Sequence, residues 1–293
     1  MSRFFTTFSL PSHNKAVKIY EMGFREYLIF QKFLQNNRAQ DIEFYIDQAV
    51  VAATDQQIPL YQLSSLDKTV IMLLQRIISV GNTVTYTVKE QDATKNIQLD
   101  LASIVDQLVS ADIEHTRVIS CLGREYILGV PFTSRAINTI EFAYSTLKYI
   151  NTGNGDGSIP IRSLTITQRD KALEELPASI VTHLTEYAET IESQANKITL
   201  HLPLIEEPIN LSFQNGILTE LTKILCRSGL VDVYRKIYAL ASGPGLSVDS
   251  LNLLAPAEVD LLYSFLEEEA REMEKNNKSK EPGLPLPYAS DTI

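Results

Sequence analysis

The residues that come nearest to a reactive pattern are Asn154-Gly155-Asp156-Gly157-Ser158-Ile159, which match the centre of a calcium-binding loop. Such a loop gathers about six or more oxygens and needs a carboxylate at its first position and a bidentate glutamate at its last. Thr152 and Ser163 stand there instead, and Pro160 falls in the short strand that would pair one loop with another. The segment fits a Gly/Asn/Asp turn better. The four histidines, His13, His115, His183 and His201, are scattered singly, and none belongs to a Cys/His group with zinc-ligand spacing. Cys121 follows His115 at a spacing that matches no recognised nucleophile site, so Cys121 and Cys226 read as small core residues. Gly243-Pro244-Gly245 lacks the third glycine and the preceding strand of a dinucleotide fingerprint. Glu267-Glu268-Glu269 splay around a helix and make a solvated face, not an acid/base pair. The residue chemistry therefore predicts a chain that is not an enzyme and that holds no metal or cofactor.

Bulk properties narrow the classes further. The chain has 293 residues, 26 basic and 36 acidic side chains, and a net charge of −10. That balance argues against a nucleic-acid partner, which needs a basic face to displace counterions. Two cysteines are too few for a disulfide scaffold and point to a reducing compartment. Met1–Leu10 is too short and too threonine-rich an apolar segment for a signal peptide, and no window approaches the ~18 apolar residues of a membrane span. The expectation is a soluble chain folded in a cytosol, with no membrane partner.

The elements that would position any surface are legible from periodicity. Phe4–Tyr20 reads as a hairpin, followed by helices over 23–36 and 40–53. Asp67–Val80 reads as a helix, with Val70, Leu73, Leu74, Ile77 and Ile78 at helical spacing and a narrower, mostly polar stripe of Lys68, Met72, Gln75, Arg76 and Ser79. Gly81 suits its end. Period two then takes over: Val84, Tyr86 and Val88 alternate with threonines, a polar turn covers Glu90–Lys95, and Ile97, Leu99 and Leu101 return the chain. Asp100 can cap a helix carrying Ile104, Val105 and Leu108. Thr116–Cys121 and Glu125–Val130 form another hairpin, after which Ser134 can cap a helix bearing Ile137, Ile140, Tyr144 and Leu147.

Thr167–Ser193 is helical with a break before Pro177. Lys197–Leu202 with Ile209–Phe213 is a last hairpin, and Gly216–Cys226, Leu230–Leu240, Ser247–Leu254 and Pro256–Asn276 are helices. The fold class is α+β: several β-hairpins each followed by helices, with a helical C-terminal region. The Gly-rich segment 152–158 divides an N-terminal α+β domain (1–151) from a C-terminal hairpin-plus-helix domain (159–275), and 276–293 reads as a mobile tail. In the last helix Val259, Leu262, Leu266, Ala270 and Met273 line a seam for a partner helix, from this chain or from another.

Two stretches together resemble the baseplate hub and hub-assembly proteins of T-even-like contractile-tailed bacteriophages. One is Leu66-Asp67 with Leu73–Gly81, Val84–Val88 and Ile97–Leu101: an acidic residue, a Leu/Arg-rich helix, a Ser-Val-Gly end and a hairpin closing in Asp-Leu. The other is Leu221–Leu225 with Val233-Tyr234, Tyr238, Leu246-Ser247, Leu251 and Leu254–Glu258, similar to the family's C-terminal helices. Leu10–Lys18 and Tyr126–Pro131 fit the family's leading hairpin and its strand-then-proline segment. Some relatives carry cysteines in the hairpin turn that could hold a metal; Glu90–Lys95 has none, which excludes a zinc-stapled hairpin.

The resemblance implies a non-enzymatic structural or assembly protein of a tail baseplate hub. It would be built in the host cytoplasm, reside in the virion and dock to other baseplate or tail subunits, with a homo-oligomer also open. Val259, Leu262, Leu266 and Met273 are the expected partner contacts, against the alternative that they close the chain's own core. A transient assembly chaperone absent from the mature virion, and a small-molecule enzyme with a site assembled in space, are the other readings.

Overall fold

The computed structural model describes residues 3–13, 16–28, 42–90, 93–133, 137–152, 157–200, 209–216 and 230–278. Strands β1 (Phe5–Ser9) and β2 (Ala16–Tyr20) pair antiparallel, Phe5 opposite Tyr20, and alternation sends Val17 and Ile19 inward. Residues 24–28 are helical. Helices α1 (Ile42–Thr54) and α2 (Ser65–Val80) follow. The start of α2 precedes the expected Asp67 because Ser64 caps it: its hydroxyl accepts from the Asp67 amide while the Asp67 carboxylate accepts from the Ser64 amide. The stripe that reads as mostly polar is buried too. Lys68, Met72, Gln75 and Ser79 are all out of solvent, so α2 is a core helix on nearly every side. Gly81 ends it at φ +112°, a conformation that side chains with a Cβ rarely adopt.

Strands β3 (Thr83–Glu90) and β4 (Ala93–Asp100) pair from Thr83–Asp100 to Glu90–Ala93. The turn is therefore narrower than Glu90–Lys95, since the ladder runs through both ends of that polar stretch. Val84 and Leu99 are buried at the base of this hairpin. Asp100 caps helix α3 (Leu101–Val109) by accepting from the Ala102 amide at 3.0 Å.

Strands β5 (Thr116–Cys121) and β6 (Arg124–Gly129) form the next hairpin. Helix α4 (Thr139–Ser145) follows, capped by Asn138, while Ser134 lies outside the described residues. Leu147 is not in this helix. It opens strand β7 (Leu147–Thr152) opposite Leu128, because pairing along β6 overrides local helical spacing. Strand β8 (Ser158–Pro160) pairs with β7, giving a four-stranded antiparallel sheet in the order β5-β6-β7-β8. Helices α5 (Ile166–Glu174) and α6 (Ala178–Ala195) are separated at Pro177, and α6 packs on β5 and β6. Strands β9 (Thr199–Leu200) and β10 (Ile209–Asn210) form a short ladder. Helices α7 (Leu230–Ser242), α8 (Val248–Leu251) and α9 (Pro256–Lys278) complete the described chain.

This is an α+β fold with two apolar cores among the described residues. The larger gathers side chains from Leu10 through Phe213, centred on α2 and α6. The smaller joins Met22, Phe24 and Tyr27 to Val233, Leu240, Leu251 and Val259. Two hydrogen bonds tie the chain's start to these parts: the Met22 amide to Ser79 Oγ at 2.7 Å, and the Phe24 amide to the Leu254 carbonyl at 2.8 Å. The expected helices beyond Leu28 and over Ile217–Cys226, and the tail beyond Lys278, lie outside the described residues.

Candidate docking surface

Helix α9 begins with proline at its first position and with Glu258 Oε2 accepting from the Ala255 amide at 2.7 Å. Its seam then meets two different environments. Val259 is fully buried in the smaller core, and Leu262 and Leu266 pack against that core. Met273 is 57% exposed. Helix α7 runs alongside in the same direction. Lys236 Nζ contacts Asp260 Oδ1 at 2.7 Å, and further on a Cβ at Gly243 would stand 3.0 Å from Leu266 Cδ1. A side chain at Gly243 would press on Leu266, which would have to give by a few tenths of an ångström.

Leu266 therefore lies level with the end of α7, and α9 continues past it for about twelve residues, or ~18 Å at 1.5 Å per residue. Every side chain from Glu267 to Lys275 is exposed. Of the four expected contact residues, the structure gathers Val259, Leu262 and Leu266 onto the chain's own core and leaves Met273 in solvent.

Periodicity along the seam overlooks a second pair. Leu261 and Phe265, at i,i+4 spacing on the opposite side of α9, are 54% and 57% exposed. Their spacing was visible in the sequence, but only the packing of α7 decides which side of α9 is covered. Elsewhere, Ile140 and Ile166 are exposed on α4 and α5. A cavity of about 510 Å³ lies between those helices, lined among others by Glu43, Phe132, Ile140, Tyr144, Arg169 and Leu173. Strand β5 is an edge of the four-stranded sheet, with Val118 exposed.

The residues with chemical potential lie apart. His13 Nε2 is 3.1 Å from the Gln62 carbonyl, and His183 Nδ1 is 3.2 Å from Glu186 Oε2. His115 Nδ1 is buried without a hydrogen-bond partner, and burial pushes its pKa down. Cys121 is a free thiol 3.5 Å from Ser179 Oγ. Asn154–Asp156 of the calcium-like segment, His201 and Cys226 lie outside the described residues. Among the described residues no three His, Cys, Asp or Glu side chains stand close enough to hold a metal ion, and no helix is long and apolar enough to cross a membrane.

The densest charge cluster is structural. Lys68 Nζ lies 2.6 Å from Asp47 Oδ1 and donates to the Phe132 carbonyl at 2.9 Å; Arg162 Nη2 lies 2.6 Å from Asp47 Oδ2. Glu43 Oε1 stands 3.8 Å from both cations. Burial, aided by the Arg162 charge, pushes the Lys68 pKa down, while Asp47 and Glu43 oppose that. Each group is engaged by its neighbours, and the arrangement fastens α1, α2 and the turn at Arg162 together.

The model of the family described as T4 bacteriophage base plate protein matches residues 1–204. Comparison with curated proteins and with solved structures gives no match.

Proposed function

Because the chain belongs to the T4 bacteriophage base plate protein family, a family of phage baseplate proteins, we propose that it is a non-enzymatic structural component of the baseplate hub. On this reading it is assembled in the host cytoplasm, resides in the virion and docks to other baseplate or tail subunits. One observation supports docking above the rest: α9 outruns its own core and carries its seam into solvent as far as Met273. Val259, Leu262 and Leu266 anchor the helix, and Met273 makes the contact with the partner. The β5 edge offers a second surface, where a partner strand adds main-chain hydrogen bonds.

Quantitative mass spectrometry of purified virions, against lysate from the same infection, tests the reading. A few copies per particle are expected. Abundance in lysate with absence from virions would instead make the chain a transient assembly factor. Failure to co-purify with any baseplate subunit in either sample would remove the docking reading.

A further inference from the structure

Strand β5 turns a set of pairing groups away from its own sheet. Gly129, opposite Thr116 in the ladder, gives its amide to the Thr146 carbonyl on the β7 side at 2.8 Å. In an antiparallel ladder opposed residues either exchange hydrogen bonds or both face away, in alternation. Thr116, Val118 and Ser120 therefore direct their amides and carbonyls away from β6. Their side chains are exposed, and among the described residues no strand pairs with β5 on that side.

The two edges of this sheet are finished differently. Strand β8 is short and ends in Pro160, which has no amide to offer. Strand β5 has none of the devices that keep an edge from pairing: no proline, no lysine and no bulge. Its one charge, Arg117, is engaged within the chain. Nε donates to Glu114 Oε1 at 2.8 Å, and the guanidinium lies 4.9 Å from the centre of the Tyr187 ring. The outward groups are neutral and match a strand as neutral as themselves.

We infer that this strand is β5 of a second copy of the chain, paired antiparallel about a two-fold axis at Val118. Val118 then stands opposite itself and Thr116 opposite the partner's Ser120, so all the outward amides and carbonyls are used. Arg117 falls opposite the partner's Ile119, and no like charges meet. Moving the axis to Arg117 would oppose two guanidiniums, and moving it to Ile119 would leave Thr116 beside the turn at Leu122. The pairing joins two four-stranded sheets into one. So short an interface falls below the ~1,200 Å² of stable complexes, which makes the dimer weak and reversible. The inference rests on the docking reading of the β5 edge and names the strand that fills it.

Sedimentation of the full-length chain, from low micromolar to near-millimolar concentration, should show a shift from monomer toward dimer. Val118→Lys sets two ammoniums opposite each other and should weaken the dimer at least about tenfold. Val118→Pro removes an outward amide and should abolish the dimer. The circular dichroism of Val118→Lys should be unchanged, since that side chain is exposed. Register is read by oxidative cross-linking against the parent chain as control. Val118→Cys should cross-link, because paired Cα atoms stand ~5.5 Å apart. Thr116→Cys should not, because its two copies lie more than ~13 Å apart along the strands. A chain monomeric throughout overturns the inference, and so does a dimer that Val118→Lys leaves intact. Each variant is also tested for baseplate assembly during infection. Assembly lost in Val118→Lys while the parent chain is monomeric would keep the docking edge and give it to a strand of another subunit. Normal assembly of Val118→Lys would remove this edge from the docking reading.

Discussion

The Lys68 ammonium sits 2.6 Å from Asp47 Oδ1, with the lysine side chain wholly out of solvent and the aspartate nearly so. Asp47 also holds Arg162 at 2.6 Å, so one carboxylate neutralises two cations on separate segments. Removing it leaves both cations only Glu43, whose Oε1 stands 3.8 Å from each. Asp47→Ala should cost ~3–5 kcal/mol in urea unfolding, the usual penalty for breaking a buried pair from one side. Lys68→Met, which leaves Asp47 with Arg162, should cost less. The double variant should then be more stable than additivity predicts, because no unpaired ammonium remains. Additive losses would show that the pair contributes nothing beyond its separate side chains.

The cap of α2 offers a second measurement. Asp67 is fully buried and accepts from the Ser12 amide, the Ser64 amide and the Ser64 hydroxyl at 2.9, 2.9 and 2.6 Å. Ser64→Ala removes one partner and should cost ~1 kcal/mol. Asp67→Ala leaves buried donors on two segments and should cost at least ~3 kcal/mol. Equal melting shifts for the two variants would mean that the tie to Ser12 adds nothing.

These two sites show what periodicity carries and what it omits. The apolar positions of α2, the Asp100 cap and the β5–β6 hairpin are local patterns, and each was legible from spacing alone. Lys68 was not, because a lysine at helical spacing reads as part of a polar stripe until partners from distant segments enclose it. Leu147 failed for a related reason: its strand exists only because β6 lies beside it. On α9 the seam was legible, but where its cover stops depends on where α7 ends. That separates Leu266 from Met273, which the same spacing makes equivalent.

His115 predicts an acid-side response. Its imidazole is half-buried, which disfavours the charged form; Asp67 opposes this and Lys148 reinforces it. The folded pKa therefore lies below 6.5, the ordinary value for histidine. Between the two values the unfolded chain holds more protons, so stability is full above pH ~6.5 and is lost as pH falls toward the folded pKa. Urea midpoints at about pH 7.5 and pH 5 should differ less in His115→Gln than in the parent chain. The same pH dependence in both would assign the acid response to other groups.

The two parts of the α9 seam should respond oppositely to the same chemical change. Leu262 and Leu266 pack on the core that holds Val259, and Gly243 approaches Leu266 closely. Leu262→Asp with Leu266→Asp places two carboxylates in that core without partners. The expected result is loss of cooperative melting of the C-terminal helices, or of solubility, since burying unpaired charge costs several kcal/mol. Met273→Asp places one carboxylate in solvent and should leave the melting temperature within the ~0.5 kcal/mol typical of surface changes. If the double variant melts like the parent chain, Leu262 and Leu266 are not closing a core. The seam would then be open to a partner from its first turns, and the docking surface would extend well beyond Met273. If only the double variant fails, the division at the end of α7 holds, and assembly defects in Met273→Asp report contact with another subunit and not misfolding.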